Sequence, residues 1–310
     1  MSQEKIQSLR DQIQTVLMGK EDVVRQVLVA LLARGHILLE DVPGVGKTIL
    51  TRAVAESLQC EFNRIQMTPD LLPSDILGVS VYDSASGEFN FRKGPIFANI
   101  ILADEINRTT PRTQSALLEA MNESQVTADG RTYPLGPPFM VIATQNPYEF
   151  EGTYYLPENQ LDRFMLRIRI GYPEKTIEKD ILRIRPAQNR LGSLQPVFSR
   201  EELMDLQKKV DDVRMDDSIL EYILAISQAT RQSEDLEIGL SPRASLSLTA
   251  AAKASAVLDG RDYVVPDDVR ELAVASCAHR IRPRTIVNGS STVISEELFR
   301  RILESIPVPE

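Results

Sequence analysis

The amino-acid sequence predicts an α/β protein made of a parallel-sheet core and a smaller all-helical region after it. Across residues 36–170, short apolar runs alternate with helix-compatible segments and loops, which is typical of a parallel sheet covered by helices. A glycine-rich loop follows the first of these runs, in strand–loop–helix order. Beyond about residue 190 only helical periodicity continues. We therefore predict a core domain over residues 1–188 and a helical domain over residues 189–310.

Two amphipathic segments precede the first core strand. Apolar side chains recur at near-helical spacing in residues 4–17, and at i, i+4 in a second segment over residues 23–32. Gly35 is a suitable C-terminal cap for the second helix. The predicted strand His36–Glu40 then leads directly into the glycine-rich loop.

This loop is predicted to bind a nucleotide polyphosphate. Gly44 and Gly46 let backbone N–H groups approach an anion, and the following helix directs its positive end toward it. Lys47 would reach the β- and γ-phosphates, and the Thr48 hydroxyl would ligate Mg²⁺. Asp41 stands where the general motif has glycine, so the strict pattern is not met. The residues expected to contact nucleotide are Val42, Pro43, Gly44, Val45, Gly46, Lys47, Thr48 and Ile49.

The middle of the core domain predicts a short strand and two hairpins. The strand covers residues 60–66, and an irregular stretch over residues 69–78 follows it. The first hairpin pairs Val79–Tyr82 with Phe89–Phe91 across a glycine-containing turn, and the second pairs residues 125–127 with residues 131–135 across Asp-Gly.

Two acidic residues end the apolar run that begins at Asn99. A buried parallel strand would present Asp104 and Glu105 at its C-terminal edge, where α/β sheets bind ligands. Asp104 could hold Mg²⁺ through its water shell, and Glu105 could orient and deprotonate an attacking water. The alternative is a strand ending in two solvated acids, but the phosphate loop upstream favours the catalytic interpretation.

A further strand over residues 139–144 stops at Gln145-Asn146-Pro147. Asn146 would therefore lie at the same edge of the sheet, where its amide could hold the γ-phosphate or the attacking water; ordinary turn chemistry before proline is the alternative. A loop over Glu149–Glu158 precedes the fifth strand, residues 164–170.

The second region is predicted to be helical throughout. Ser241-Pro242 is a capping residue followed by proline at the first helical position, so Arg243 lies in the first turn of its helix. A cation is disfavoured there by the helix dipole, which suggests a nearby anion, although a plain surface arginine is the alternative. The predicted helices cover residues 199–212, 216–232, 242–258, 266–279 and 294–305.

Composition excludes several classes of function. The 310-residue chain has a formal net charge of −9, which argues against a general nucleic-acid binder. It has no tryptophan and only 5% aromatic residues, so a base-stacking surface is not expected. The local basic cluster Arg280, Arg282 and Arg284 is interpreted as a solvated helix end rather than a binding patch.

Few residues of other reactive types are present. Cys60 and Cys277 imply no disulfide framework, and with His36 and His279 they form no zinc or nucleophile motif. No apolar run is long enough to cross a membrane, and the N-terminus lacks the apolar core of a signal peptide. We therefore expect a cytoplasmic location.

Five motifs in order resemble those of the AAA+ ATPases, and within them the MoxR family. The phosphate loop has that family's own form, including Asp41, and residues 102–108 resemble its acidic motif. Residues 143–147 resemble the sensor 1 segment, residues 161–164 the segment bearing the arginine finger, and residues 241–244 the sensor 2 motif of the helical lid. The two hairpins resemble the helix-2 insert and the pre-sensor-1 hairpin, which mark the branch shared with magnesium chelatase subunits, MCM helicases and dynein.

The resemblance implies ATP and Mg²⁺ as cofactors and a homo-oligomeric ring, usually a hexamer, with ATP between subunits. Arg163 would then reach the γ-phosphate of the neighbouring subunit, and we favour it over Arg108, Arg112 and Arg167. Arg243 would sense nucleotide in the same or the adjacent subunit. The segment Val16–Glu21 would lie near the adenine.

The predicted function is therefore ATP-driven remodelling or maturation of a client protein, in the manner of a chaperone. The resemblance also suggests a partner with a von Willebrand factor A domain. Tyr82, Phe89 and Phe91 are candidate client contacts, unless they pack on their own domain. Two alternatives stay open: a nucleotide-gated scaffold with little turnover, and a DNA-remodelling ATPase, which the acidic charge disfavours.

Overall fold

The computed structural model describes residues 2–147, 153–154, 156–284 and 291–309. Residues 149–152 and 155 of the predicted loop Glu149–Glu158 therefore lie outside the described residues. The helices are α1 (Ser2–Gln14), α2 (Glu21–Leu32), α3 (Lys47–Ser57), α4 (Pro73–Leu77), α5 (Pro111–Glu123), α6 (Glu158–Leu161), α7 (Lys175–Ile184), α8 (Pro186–Asn189), α9 (Arg200–Asp212), α10 (Asp217–Gln232), α11 (Pro242–Leu258), α12 (Pro266–Cys277) and α13 (Ser291–Glu304). The strands are β1 (Ile37–Glu40), β2 (Phe62–Gln66), β3 (Gly78–Asp83), β4 (Glu88–Lys93), β5 (Ile100–Asp104), β6 (Gln125–Ala128), β7 (Arg131–Pro134), β8 (Met140–Gln145), β9 (Leu166–Ile168), β10 (Leu236–Ile238) and β11 (Arg282–Pro283).

The five predicted core strands form one parallel sheet in the order β2-β5-β8-β1-β9. This confirms the α/β prediction. Since all strands run the same way, the loops that follow β1, β5 and β8 leave the sheet at one edge, as in other α/β proteins with ligands at the C-terminal ends of strands. The register aligns Leu102 with Ile142, and Ile142 with Ile37. The phosphate loop and the acidic strand end therefore meet at that edge.

The sheet is apolar on both faces because helices cover both. Alternate residues of each strand enter one of two hydrophobic clusters. In β1, Ile37 and Leu39 enter a large cluster with α1, α2, α3 and the lid helices α9–α13, whereas Leu38 enters a smaller cluster with α5. One continuous core therefore joins the sheet to the helical domain.

Both predicted hairpins are present, as β3–β4 and β6–β7. Phe91 stacks on Tyr133 of the second hairpin with ring centroids 4.1 Å apart, so this candidate client contact packs on its own domain. Tyr82 and Phe89 contact each other at 5.3 Å and remain 56% and 68% exposed. Two of the three aromatic side chains are thus accessible.

The C-terminal domain is helical but also contains one small β-pair that the sequence did not predict. Leu236 of β10 pairs with Pro283 of β11. Segments of three and two residues are too short for alternation of apolar and polar side chains to identify them. The stretch predicted to be irregular includes α4, which begins at a proline and is capped when the Asp75 carboxylate accepts from the Leu72 N–H at 2.9 Å.

The predicted domain boundary at residues 188/189 falls inside α8 and stays a prediction. Contacts between the two regions are extensive. Gln207 of α9 donates to the buried carbonyl of Leu31 at 2.7 Å. Arg25 of α2 forms an ion pair with Asp259, with Nη1 and Oδ1 2.6 Å apart, and this contact holds the pKa of that carboxyl down at about 2.

A second set of polar contacts joins helix α13 of the C-terminal domain to the C-terminal edge of the sheet, where the phosphate loop begins. Glu40 at the end of β1 is only 4% exposed and lies 3.3 Å from Arg169, whose guanidinium also contacts Glu296 of α13 at 3.4 Å. Arg167 contacts Glu296 at 3.1 Å. Helix α13 is therefore linked through Arg169, which directly follows β9, to Glu40, the residue that precedes the phosphate loop.

Candidate functional site

The phosphate loop lies between β1 and α3, as predicted. Gly44 and Gly46 have φ of 85° and 104°, the left-handed region that glycine tolerates best. An added Cβ would meet nothing within 4 Å at Gly44, so the loop faces open space there, whereas at Gly46 it would approach Leu17 at 3.2 Å. Gly46 is also the N-cap of the 11-residue helix α3, so the loop lies at the positive end of a helix.

Two side chains hold this loop in shape. The Lys47 ammonium donates to the Asp41 carbonyl at 2.8 Å. The Asp41 carboxylate accepts from the Val42 N–H at 2.8 Å and from the Gly171 N–H, beyond β9, at 2.6 Å. The departure from the general motif is therefore structural, because Asp41 fastens the loop to the segment that leads toward α7. The sequence did not predict this contact, since Gly171 lies 130 residues away along the chain.

Asp104 and Glu105, the two acids at the end of β5, are both hydrogen-bonded to the side chain of Thr144. The Thr144 hydroxyl donates to Asp104 Oδ1 at 2.6 Å and accepts from the Glu105 N–H at 2.8 Å. It is fully buried, and Asp104 is 9% exposed. Glu105 itself has φ 60°, a left-handed conformation that is uncommon for a residue with a side chain and often marks a functional position. The sensor 1 strand β8 thus positions both acids through one hydroxyl.

Basic and polar side chains cover the outer side of these acids. Arg64 of the edge strand β2 donates twice to Asp104 Oδ2, from Nη2 at 2.5 Å and from Nε at 3.1 Å. Gln66 links Arg64 to Glu105, because its side-chain oxygen accepts from Arg64 Nη2 at 2.9 Å and its side-chain nitrogen donates to Glu105 Oε2 at 3.0 Å. Arg108 donates to the same Glu105 oxygen at 3.0 Å.

Asn146 and the apolar residues predicted for the phosphate loop lie at the same edge of the sheet. Asn146 follows β8 and is 6% exposed. The backbone carbonyl of Gln145 accepts from the Asp41 N–H at 3.1 Å. Asn146, the next residue, therefore lies beside the start of the phosphate loop. Pro43 is exposed, and Val45 and Ile49 pack against the large hydrophobic cluster, so these two can offer a ligand mainly their backbone.

Arg163 lies near the opposite edge of the sheet from the phosphate loop. It precedes β9, whose first residue pairs with Ile37 at the start of β1. Asp41 lies four positions after Ile37 along the chain, which is roughly 13 Å at ~3.3 Å per strand residue. The Arg163 guanidinium donates from Nη1 to the Leu118 carbonyl of α5 at 2.9 Å, and within the described part of the chain it forms no ion pair with Asp104 or Glu105.

Arg243 lies close to Arg163 in the fold. As predicted, Ser241 caps α11 through its hydroxyl, and Pro242 and Arg243 occupy the first turn. The exposed Arg243 guanidinium is 3.9 Å from Asp162, the residue before Arg163. The anion that the sequence suggested near Arg243 is thus Asp162 in this structure. Both arginines belong to one region, away from the phosphate loop of the same chain.

One prediction about an arginine requires correction, and a second arginine that was weighed as an alternative is found in an ion pair. Arg280 is not a solvated helix end: it is 5% exposed and donates from Nη2 to the Phe164 carbonyl at 2.7 Å, and its burial lowers the pKa of the guanidinium. Arg167, an alternative for the arginine finger, has a side chain only 7% exposed that is paired with Glu296. Arg167 alternates with the buried Leu166 and Ile168 on β9, so its side chain lies on the other face of the strand, beside Glu40 and Glu296.

His36 and the two cysteines lie in environments that suit a structural role and not a catalytic one. His36 Nδ1 accepts from the Val141 N–H at 2.9 Å, His36 Nε2 contacts the Met121 carbonyl at 3.0 Å, and burial lowers the pKa of the ring to about 4. Burial raises the pKa of the Cys277 thiol to about 12 and that of Cys60 to about 11. Neither thiol is activated as a nucleophile.

The donor set suits a nucleotide with magnesium. The open glycine loop, the helix terminus and Lys47 can accept a polyphosphate, and the Asp104 carboxylate already pairs with a cationic side chain. Within the described ranges, no three His, Cys, Asp or Glu residues form a group that could hold a metal by themselves. Such a site fits Mg²⁺, which usually binds through one or two carboxylates together with phosphate oxygens.

Four contributors to this site were not predicted: Arg64, Gln66, Thr144 and the Asp41 side chain. Arg64 and Gln66 alternate with Ile65 on β2, which is the pattern of a strand with one buried and one polar face. That pattern could have identified the polar face of β2. It could not have identified Asp104 and Glu105 as the residues that this face contacts, because those contacts depend on the strand order of the sheet.

Comparisons with known proteins agree with this geometry. Residues 36–166 match the family described as "ATPase family associated with various cellular activities (AAA)", and residues 228–298 match an AAA lid domain. The "Uncharacterized protein YeaC" of Bacillus subtilis is 51% identical over 301 residues, covering 96% of this chain and 93% of that protein. "Chaperone MoxR1" of Mycobacterium tuberculosis is 39% identical over 312 residues, covering 96% and 81%. A crystal structure of a Cytophaga hutchinsonii protein assigned as an ATPase has a TM-score of 0.89 at 37% identity, covering all of this chain and 96% of that one.

In the part of the chain that the structure describes, no helix is long and apolar enough to cross a membrane.

Proposed function

The chain is an AAA+ ATPase of the MoxR family, and on that premise we propose that it acts as a homo-oligomeric ring, a hexamer, with ATP bound between neighbouring subunits. One subunit supplies the phosphate loop and the acids, and the next supplies Arg163 and Arg243. The observation that supports this arrangement is the position of the two arginines, which lie together but away from their own phosphate loop. A site completed in this way requires a second copy of the chain.

In the proposed site, the residues of one chain bind the nucleotide and activate water. Backbone N–H groups of Val42–Thr48 and the Lys47 ammonium hold the phosphates, and Thr48 and Asp104 hold Mg²⁺. Bound Mg²⁺ would neutralise charge that develops on the phosphate oxygens. Glu105, positioned by Thr144, accepts a proton from the attacking water, and Asn146 orients that water or the γ-phosphate.

The neighbouring chain supplies charge stabilisation. Arg163 would stabilise the negative charge of the transition state, which can account for a large part of the rate in phosphoryl transfer. Arg243 would act from the same neighbour, since the side chain lies 3.9 Å from the carboxylate adjacent to Arg163. This assigns sensor 2 a role in trans, a choice that the sequence left open.

The work done by hydrolysis would be the remodelling or maturation of a client protein in the cytoplasm. The lid is tied to the nucleotide edge through Glu40, Arg169 and Glu296, so a change at the phosphates can be passed to the lid. The exposed Tyr82 and Phe89 are the proposed client contacts. A partner with a von Willebrand factor A domain is the proposed client class, on the family resemblance.

The test is ATPase activity per subunit across a wide range of protein concentrations, for wild type, Glu105→Gln and Arg163→Ala. Activity should rise with concentration as interfaces form, and both variants should lose it while Glu105→Gln still binds ATP. Activity that is independent of concentration and normal in Arg163→Ala would contradict a shared site. The nucleotide-gated scaffold would then become the better account.

A further inference from the structure

Arg64 makes a contact that no motif of the sequence explains. It lies on the edge strand β2, level with Leu102 of β5, and its side chain reaches along the sheet edge to Asp104. Two of its nitrogens converge on a single carboxylate oxygen, Oδ2, at 2.5 and 3.1 Å. A fork of two charged donors on one acceptor is a strong and directional contact.

The two oxygens of Asp104 have partners of different kinds. Oδ1 accepts from the hydroxyl of the fully buried Thr144, at 2.6 Å. Oδ2 is held by Arg64, whose side chain is 48% exposed and can turn away from Asp104 into solvent. Of the two partners, only Arg64 can leave without disturbing the core. Oδ2 is therefore the oxygen that a metal, or a water bound to it, can reach.

We propose that Arg64 is an internal cation that competes with Mg²⁺ for Asp104. The inference rests on the proposed nucleotide site, because it takes Asp104 as a metal-binding residue. While Arg64 is in place, it neutralises a carboxylate that would otherwise repel the phosphates. When Mg²⁺ binds with nucleotide, it takes over this neutralisation, and the guanidinium moves away from Oδ2.

The competition has a consequence that a plain structural role for Arg64 would not have. Removing the positive charge leaves the negative charge of Asp104 uncompensated, so nucleotide without metal should bind more weakly. The same change removes the competitor, so Mg²⁺ should bind to the nucleotide complex more tightly. The two effects have opposite signs. A residue that only stabilises the fold, or one that contacts the phosphates directly, would not produce both.

The experiment measures the binding of a fluorescent ADP analogue, mant-ADP, in EDTA and during a Mg²⁺ titration at saturating mant-ADP. For Arg64→Gln, the Kd in EDTA should rise and the half-saturating Mg²⁺ concentration should fall. Each change should be about two- to fivefold, the range for an ion pair with one half-exposed partner. Arg64→Lys keeps the charge without the two-pronged contact and should give changes of the same signs but smaller size.

Arg52→Gln is the matched control. Arg52 lies on α3, and its side chain is 47% exposed and paired with Glu56, so the substitution removes the same charge at the same exposure from a pair that does not include Asp104. It should leave the half-saturating Mg²⁺ concentration unchanged. Circular dichroism and thermal melting verify that each variant is folded, which an exposed residue on an edge strand should allow.

The outcomes separate the inference from the proposed function. If Arg64→Gln weakens mant-ADP binding equally with and without Mg²⁺, then Arg64 is a phosphate ligand and the competition is wrong. If the Kd in EDTA and the half-saturating Mg²⁺ concentration of Arg64→Gln both match wild type, then the contact between Arg64 and Asp104 has no role in metal binding, and the inference also fails. If wild type itself shows no binding, or no response to Mg²⁺, then the nucleotide site is wrong and the inference fails with it.

Discussion

At the scale of single residues, the candidate site depends on a hydroxyl that ordinary motif analysis does not select. Thr144 contacts both members of the acidic pair, the Asp104 carboxylate and the Glu105 backbone N–H. Because Glu105 has a left-handed backbone conformation, its carboxylate direction depends on this anchor. Thr144 is therefore a positioning residue for a reaction that it does not itself perform.

Replacement of Thr144 tests this role. Thr144→Val keeps the shape but leaves the Glu105 N–H without its acceptor, so kcat should fall about tenfold or more, while the Kd for nucleotide changes less. Thr144→Ser retains the hydroxyl and should restore most of the rate. Steady-state ATPase assays and mant-ADP binding measure the two quantities. Equal activity of the valine and serine variants would show that the hydroxyl has no positioning role.

Also at this scale, the sequence could predict residue types at strand ends but not their partners. Asp104, Glu105 and Asn146 follow apolar runs, so their shared edge of the sheet was predictable. The contacts of Asp104 with Arg64 and Thr144 join three different strands, and each spans 40 residues of sequence. Strand order decides such contacts, and a single sequence does not contain it.

At the scale of elements, buried His36 joins three parts of the core. It precedes β1, accepts from Val141 of β8, and contacts the carbonyl of Met121 in α5. Accepting from Val141 requires an unprotonated Nδ1, and burial lowers the pKa of the ring to about 4 from its ordinary value of 6.5. The folded protein therefore binds a proton at His36 less readily than the unfolded chain does.

This contact predicts a loss of stability in mild acid. A depressed histidine pKa contributes stability that is complete above the unfolded value and decreases as pH falls toward the folded one. Between pH 7 and pH 5, His36 should account for about 2 kcal/mol of lost stability, at ~1.36 kcal/mol per pH unit. Urea unfolding at the two pH values measures the difference.

His36→Asn is the informative variant, because the Asn side-chain oxygen can still accept from Val141. It should be less stable at pH 7, since the contact with Met121 is lost, but its urea midpoint should change less between pH 7 and pH 5. Some acid sensitivity should remain, because burial also lowers the pKa of His279 well below its ordinary value. A pH response as steep as that of wild type would contradict the assignment to His36.

Elements with a strong period were predictable, and short or long-range ones were not. Helix α11 spans the predicted residues 242–258, because Ser241-Pro242 defines its start in the sequence. Helices α7 and α8 were not predicted, although Ile177, Ile181 and Ile184 of α7 recur at helical spacing. The pair β10–β11 depends on two segments more than 40 residues apart, so local pattern could not reveal it.

At the scale of the whole molecule, one chain carries two parts of the proposed site that do not meet. The phosphate loop, Asp104 and Glu105 lie at the C-terminal edge of the sheet, whereas Arg163 precedes β9 near the other edge. A ring repeats one head-to-tail interface, so each chain can offer its loop to one neighbour and its arginines to another. We therefore propose that catalysis requires the interface between two subunits and does not occur within a single subunit.

Mixing two inactive variants tests this claim most directly. Glu105→Gln keeps Arg163 but lacks the base, and Arg163→Ala keeps the base but lacks the arginine. When the two are mixed and allowed to reassemble, about a quarter of the sites should regain both groups under random mixing in a ring. ATPase activity should then rise well above that of either variant alone, up to roughly that fraction of wild type. If no mixing ratio restores activity although the variants are shown to co-assemble, then Glu105 and Arg163 do not act across an interface, and the account is wrong.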